Sequence, residues 1–505
     1  MARQSRLTIE NCIAKGYFPS ELIPPFTSAA LGAEFNNIAA LIPTNISFNG
    51  QKVNSSKPCT HSIPRILHQR RTLGIPNPYH QIKVFQTIVD NWSAIRDIIR
   101  KSKYSLTKPI VKRDMPRAIN REYNFNEIPA KIPGLSSNSR FVLRTDISRY
   151  YPTIYTHSIP WVCHGKTFAK LNRRGNHFGN ELDTNVRNTQ DQQTIGIPIG
   201  PDSSYVIAEL IGSVLDQEIY NDLRIEGIRY IDDYYFFFKT LSQAEEALTK
   251  IQRITKKYEL EINPEKTKIY SLPEMLEYNW TSELRNYEFH DTVRRQQTDL
   301  VTFFSKAFEY SKKYPNEYVL KYSLARIKNI LIDQKNWELY ESLILNSMIA
   351  EPSVIPTVLE IFLGYVSKGY KLNYKKIEKT INEVIGYHAK LGHGYEVSWC
   401  LWLAKSLGIK ISRATAREIS LLDDPIAALT ALDLRDAGLI TNGLNISEWS
   451  NYLTHENLYL EHWILTYEAV KKGWLTSRTN YLTSDPFFSI LESKNINFYD
   501  SSVAA

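Results

Sequence analysis

The apolar positions of this chain change period near residue 285. Before it, short β-branched and aromatic runs alternate with turns and helical stretches, which predicts a mixed α+β region. After it, apolar residues recur at helical spacing: Leu320, Leu324, Ile327 and Leu331; Trp337, Tyr340 and Ile344; Val354, Val358, Ile361 and Tyr365; Ile377, Ile381, Val384 and His388. Each set predicts one amphipathic helix. Breaks are expected at Tyr314-Pro315-Asn316, Glu351-Pro352 and Leu407-Gly408, where proline or glycine interrupts the pattern. Helices at intervals of about twenty residues, hence paired about every forty, fit a HEAT-like α-solenoid or a plain helical bundle. The division expected is therefore residues 1–285, mixed, and 286–505, all helical.

Within the mixed region, the run Arg229-Tyr230-Ile231-Asp232-Asp233-Tyr234-Tyr235-Phe236-Phe237-Phe238 sets two adjacent carboxylates between two segments that favour buried strand. The pair fits the connecting turn of a hairpin. Two neighbouring negative charges flanked by apolar strands stay ionised only beside cations, and a divalent metal site meets that need. Alone, the pair also reads as an ordinary surface turn. A third carboxylate shifts the balance: the short apolar strand Phe141-Val142-Leu143-Arg144-Thr145 ends at Asp146. A strand-end Asp followed by an Asp pair on a hairpin is the ligand set of two-metal phosphoryl transfer, in which one ion activates an attacking hydroxyl and the other holds a triphosphate.

These two segments resemble motifs A and C of reverse transcriptases, the second in the form Tyr-x-Asp-Asp. Between them, Thr194-Ile195-Gly196-Ile197-Pro198-Ile199-Gly200-Pro201-Asp202-Ser203-Ser204 resembles motif B, a turn leading into a helix from Tyr205 to Tyr220. Leu260-Glu261-Ile262-Asn263-Pro264-Glu265-Lys266-Thr267-Lys268 resembles motif D, and Arg70-Arg71-Thr72-Leu73-Gly74-Ile75-Pro76 the fingers strand whose basic residues hold an incoming triphosphate. Five motifs in register span about the first 275 residues. The string Tyr155-Thr156-His157-Ser158-Ile159-Pro160-Trp161, then Gly165-Lys166 and Ala169-Lys170, then Gly196-Ile197-Pro198 with Gly200, is similar to the bacterial abortive-infection reverse transcriptases of the AbiK type. That resemblance implies a reverse-transcriptase-like fingers and palm domain followed by a HEAT-like helical domain. It also implies phage defence, untemplated DNA synthesis from deoxynucleoside triphosphates with Mg2+ or Mn2+, and a single-stranded product attached to a protein hydroxyl used as primer. It leaves a homo-oligomer open.

The resemblance assigns Asp146, Asp232 and Asp233 as metal ligands and catalytic residues, and Lys266 as the ammonium that helps pyrophosphate leave, with Lys268 as alternative. Arg70 and Arg71 would grip triphosphate oxygens through paired, charge-assisted hydrogen bonds. Tyr151, five positions after Asp146, would exclude a 2′ hydroxyl, and Gly200 is carried over as substrate-binding. The chain departs from templating enzymes at Ile199, where they carry a Gln whose amide bonds around nucleotide and template; isoleucine has no such groups. Solvated or core roles stand beside each of these assignments, and Arg149, within motif A, suits a structural ion pair.

Lysine and arginine number 61 against 53 acidic residues, a net charge of +8, which fits a polyanionic partner. Lys166, Lys170, Arg173 and Arg174 would suit a nucleic-acid backbone or a solvated helix face. His157, Cys163 and His164 lie close together but lack a paired Cys-x-x-Cys, which argues against zinc there. The four cysteines, Cys12, Cys59, Cys163 and Cys400, are scattered and suggest no disulfide framework, so a reducing cytoplasm is expected. The opening residues Met1-Ala2-Arg3-Gln4-Ser5-Arg6 do not read as a secretory leader, and no apolar run approaches the length of a bilayer. Three readings follow: an untemplated, protein-primed DNA polymerase; a templated reverse transcriptase of a defence or retron-like system; and a scaffold retaining a polymerase fold, against which the cost of three clustered acids counts.

Overall fold

The computed structural model describes residues 6–48, 50–66 and 69–503; the leader reading of residues 1–5 lies outside them. Two strand systems organise the mixed region. The first is a hairpin of β1 (Cys59–Pro64) and β2 (Arg70–Ile75), paired antiparallel with Cys59 opposite Ile75. The second is a four-stranded antiparallel sheet of β3 (Phe141–Asp146), β4 (Glu226–Tyr230), β5 (Asp233–Phe238) and β6 (Lys268–Ser271), in the spatial order β6-β3-β5-β4. The aromatic and apolar runs read as strands form the two central strands and the one beside them. Register sets Asp146 directly opposite Asp233 and Tyr230 opposite the same residue, so the two acidic segments meet at one end of the sheet.

The helix Asp202–Leu223 packs beneath that sheet and is buried over most of its length. It begins three residues before the expected Tyr205, because Asp202 is fixed by the Arg117 guanidinium at 2.6 Å and by the Ile119 N–H at 3.0 Å. The helix Leu241–Lys256 opens with a capping box between Thr240 and Gln243.

From Val293 onward the described chain is helical. The helices Val293–Lys313, Val319–Ile327, Trp337–Ala350, Ile355–Val366, Tyr374–Ala389, Gly394–Leu407, Arg413–Ile419 and Pro425–Asp436 each contact neighbours one or two places along. The breaks fall where proline and glycine suggested: Val293–Lys313 stops before Pro315, Trp337–Ala350 before Pro352, and Gly408 caps Gly394–Leu407 with φ +66°. One apolar position departs from the pattern. Leu331 lies beyond the helix that ends at Ile327 and is exposed, because the Tyr365 hydroxyl donates to the Ile330 carbonyl and accepts from the Ile332 N–H, holding that segment as a turn.

The helical segment does not hang from the end of the mixed region. It folds back over β1 and β2: His61 Nδ1 meets Asp424 Oδ2 at 2.8 Å, Trp463 Nε1 donates to the Ile75 carbonyl at 3.0 Å, and Asn77 donates to the Leu458 carbonyl at 2.7 Å. The C-terminal residues Phe498 and Tyr499 pack on Phe18 and Phe26 near the other end of the chain. One continuous apolar cluster accordingly runs from Leu7 to Tyr499, with a smaller one around Val142, Ile228 and Phe237 on the other face of the sheet.

Candidate active site

Asp146 ends β3 with its side chain buried. Lys266 Nζ donates to its Oδ2 at 2.6 Å, while Oδ1 is buried without a partner. The Lys266 segment is laced to β3 by backbone: Asn263 N–H donates to the Asp146 carbonyl at 2.8 Å and Ser148 N–H to the Glu261 carbonyl at 2.8 Å, with Thr145 and Thr267 hydroxyls bonded at 2.7 Å. The loop after the helix Leu241–Lys256 thus delivers an ammonium to the acidic cluster.

Asp232 sits in the two-residue turn between β4 and β5. The residue before it, Ile231, holds φ +59°, a left-handed conformation that a β-branched residue adopts only under constraint. The constraint is visible: Ile231 N–H donates to Thr107 Oγ1 at 3.2 Å, and its carbonyl accepts from Arg229 at 2.7 Å. Arg229 is fully buried, forked between Glu209 and Asp216 of the long helix, whose carboxylates lie at 2.8 and 3.0 Å. Gly212 stands between those two acids, and a Cβ there would come within 2.8 Å of the guanidinium, so the close approach requires glycine. The sequence reading passed over this ionic core. Its signal was present as two acids seven residues apart, hence on one face, set among the apolar residues Val206, Ile207, Leu210, Ile211 and Leu215.

Burial pushes Asp233 up to about 7, with repulsion from Asp232 adding to it. Asp232 is likewise raised, first by burial, although its own backbone and the charges of Lys266 and Arg71 oppose this. Burial works to lower the Lys266 ammonium, but bonding to Asp146 and the charges of the Asp pair hold it above its ordinary value. Asp146, Asp232 and Asp233 bring hard oxygen donors, one of them orphaned and buried, to one end of the sheet, a chemistry that fits divalent cations, although among the described residues the three carboxylates do not converge to within 4.8 Å of one another.

Around this cluster, Tyr151 feels the charges of Arg121, Glu209, Asp232 and Arg71, and burial raises its hydroxyl. Its neighbour Tyr150 turns inward and donates to the Ala208 carbonyl at 2.7 Å. Arg121, not singled out from sequence, lies over the rings of Tyr205 and Tyr230. Arg71 and Arg70 part company. Arg71 acts on Asp232 and Tyr151, whereas Arg70 turns away, forking onto Glu396 and bonding Ser62 Oγ at 2.9 Å. The expectation that Arg70 grips substrate is therefore corrected: successive strand residues face opposite sides, and this one faces the helical segment. Gly200 packs against Pro19. Its φ of +136° and the approach of Pro19, 2.4 Å from where a Cβ would stand, explain the glycine, and its carbonyl accepts from Arg117 at 3.1 Å. Ile199 accepts through its carbonyl from Gly74 N–H at 2.9 Å, joining the motif B turn to β2.

The remaining residues picked out from sequence lie elsewhere. His157 pairs with Asp183 at 2.7 Å and His164 accepts from Gly179 N–H at 3.1 Å, while burial pushes the Cys163 thiol up to about 12; among the described residues they form no metal-ligating group. All four cysteines are free. Lys166 and Lys170 lie over the Trp161 ring, and Arg173 and Arg174 are exposed. Lys268 is exposed on β6, and Arg149 is exposed in a left-handed conformation. No helix among the described residues is long and apolar enough to cross a membrane.

A sheet with three acids at one end, a basic hairpin and an ammonium bonded to one of the acids is an arrangement suited to nucleotidyl transfer. The family profile described as reverse transcriptase (RNA-dependent DNA polymerase) matches residues 97–304, so the chain carries a reverse transcriptase domain and is a nucleotidyltransferase of that type. Among solved structures, the chain is similar to apo telomerase from Candida tropicalis, with a TM-score of 0.33 and 11% identity over 85% of this chain and 76% of that one. It is also similar to telomerase from Candida albicans in complex with the TWJ fragment of telomeric RNA, with a TM-score of 0.30 and 10% identity over 65% and 70%. Comparison with curated proteins finds no match.

Proposed function

We propose that this protein is an abortive-infection DNA polymerase of a bacterial cytoplasm, polymerising deoxynucleotides without a template and attaching the product to one of its own hydroxyls. The observation that carries the catalytic part is the meeting of Asp146, Asp232 and Asp233 at one sheet end with an orphaned oxygen on Asp146. These three acids would hold Mg2+ or Mn2+. When bound, such cations supply charge stabilisation to the triphosphate and acidify the attacking hydroxyl. Arg71 binds phosphate oxygens from the side of β2, and the Lys266 Nζ carries a proton to the departing pyrophosphate. The Tyr151 ring occupies the space beneath the sugar, which selects deoxynucleotides. Two features support synthesis without a template. Ile199 offers no side-chain hydrogen bond to a templated pair, and the helical segment, in this reading a HEAT-like array over residues 286–505, is fastened onto the fingers hairpin.

The test is incubation of the purified full chain with deoxynucleoside triphosphates and Mg2+, with no template or primer, followed by intact-mass and peptide mass spectrometry. The reading expects mass increments of whole nucleotides on one Tyr, Ser or Thr. Incorporation that appears only when a primed RNA is supplied would replace it with a templated reverse transcriptase.

A further inference from the structure

The latch between the helical segment and β2 contains a set of groups that hydrogen bonding alone leaves incompletely used. His388, in the last turn of Tyr374–Ala389, and His393, the cap of Gly394–Leu407, point their Nδ1 atoms at each other across 2.9 Å. Each Nδ1 also lies 3.9 Å from Glu396 Oε1. At most one of the two facing nitrogens carries the proton between them, so the other presents a lone pair. The three atoms form an isosceles triangle, and the point equidistant from them lies about 2.1 Å from each, which is the zinc–imidazole and zinc–carboxylate bond length. Among the described residues no other trio of His, Cys, Asp or Glu converges in this way.

We propose that His388, His393 and Glu396 bind a transition-metal dication, zinc by preference, distinct from the acidic cluster of the sheet. Two imidazoles and one carboxylate are a donor set of intermediate softness that suits Zn2+ and disfavours Mg2+. The Arg70 guanidinium, forked onto both oxygens of Glu396, is the outer partner that fixes the carboxylate; each carboxylate oxygen has two lone pairs, so Oε1 keeps one for the metal. Arg70 and His393 are each 22% exposed, which leaves a solvent side for the water-derived fourth ligand that the local positive charge calls for. Because Arg70 belongs to β2, a cation held by His388, His393 and Glu396 sits beside the Arg70–Glu396 pair that joins the helical segment to that strand.

The experiment strips the full-length chain with a chelator, then titrates Co2+ or Zn2+ in the presence of excess Mg2+, which occupies hard oxygen sites. The proposal expects one equivalent of Co2+ per chain with visible ligand-field absorption, and a melting temperature that rises on metal addition. In H388Q and in H393A the Co2+ affinity falls at least tenfold, while D232N/D233N binds Co2+ as the parent does. H393A replaces a partly exposed side chain, and its metal-free melting temperature reports whether it folds. Absence of Co2+ and Zn2+ uptake by the parent chain, or uptake unchanged in both histidine variants, would overturn the assignment and leave a pair of hydrogen-bonded neutral imidazoles.

Discussion

Arg70 and Arg71 are neighbours in one strand, and their charges are used differently. On one side of β2, Arg70 forks onto Glu396 and bonds Ser62, and His61 Nδ1 meets Asp424 beside them while its Nε2 is buried without a partner. On the other side, Arg71 looks toward carboxylates that lack enough partners: Asp146 has an orphaned oxygen, and Asp233 is pushed up to about 7. Charge consumed within the fold marks structure, and charge left unbalanced marks a place for a ligand. The same contrast occurs within a single hairpin. Arg229 is fully matched by Glu209 and Asp216, and it holds the turn on which the unmatched Asp232 stands.

The sharpest break of this comparison removes the unbalanced charge. D232N/D233N should lower nucleotide incorporation by at least about a thousandfold while circular dichroism and melting temperature stay at or above those of the parent, because repulsion is relieved. Persistent incorporation would mean these acids do not hold the cations. The two arginines should separate next. R70A leaves Glu396, 1% exposed, without its cation and should destabilise the chain by about 3 kcal/mol in urea denaturation. R71A should leave the denaturation midpoint in place and raise the KM for nucleotide about tenfold. If R70A instead changed only KM, the side assignment of β2 would be wrong.

Y151A tests the edge of the site. On the proposal that the ring's bulk opposes a 2′ hydroxyl, discrimination against ribonucleotides in competition should fall about tenfold or more. A further test concerns a buried acid of the helical segment. Glu468 is buried in the helix Trp463–Lys471, accepts from the Phe498 N–H, and is pushed up by burial to about 7. Between about pH 4.3 and 7 the folded chain keeps a proton that the unfolded chain has lost, so stability declines as pH rises through that window and levels off above it. E468Q should abolish this slope and gain up to about 3 kcal/mol at pH 8. An unchanged slope would mean that Lys472 or solvent already compensates the charge.

Much of this was legible along the chain. The strand ending at Asp146, the hairpin turn at the Asp pair and the helix breaks at Pro315, Pro352 and Gly408 follow from local propensity and periodicity, which depend on residues within a few positions of each other. The convergence of Lys266 on Asp146 was legible only through the resemblance. What the letters could not reveal is which way each arginine of β2 faces, since alternation fixes that they differ but not which one meets the site. Nor could they reveal that Arg229 is entombed between two acids, or that Leu331 falls outside its helix because Tyr365 claims the turn.

The order of side chains alone anticipated strands ending at Asp146 and flanking the Asp pair, followed by a run of helices, because β-branched runs, helical periods and an Asp pair in an apolar stretch each carry a local free-energy preference. Only the folded chain decided that the helical half closes over the fingers hairpin, engages Arg70 and His61 and brings His388, His393 and Glu396 together. The contacts of His61 and Arg70 join residues more than three hundred positions apart, whereas His388, His393 and Glu396 meet across one helix junction, and the energy of the distant contacts exists only once both surfaces are buried against each other.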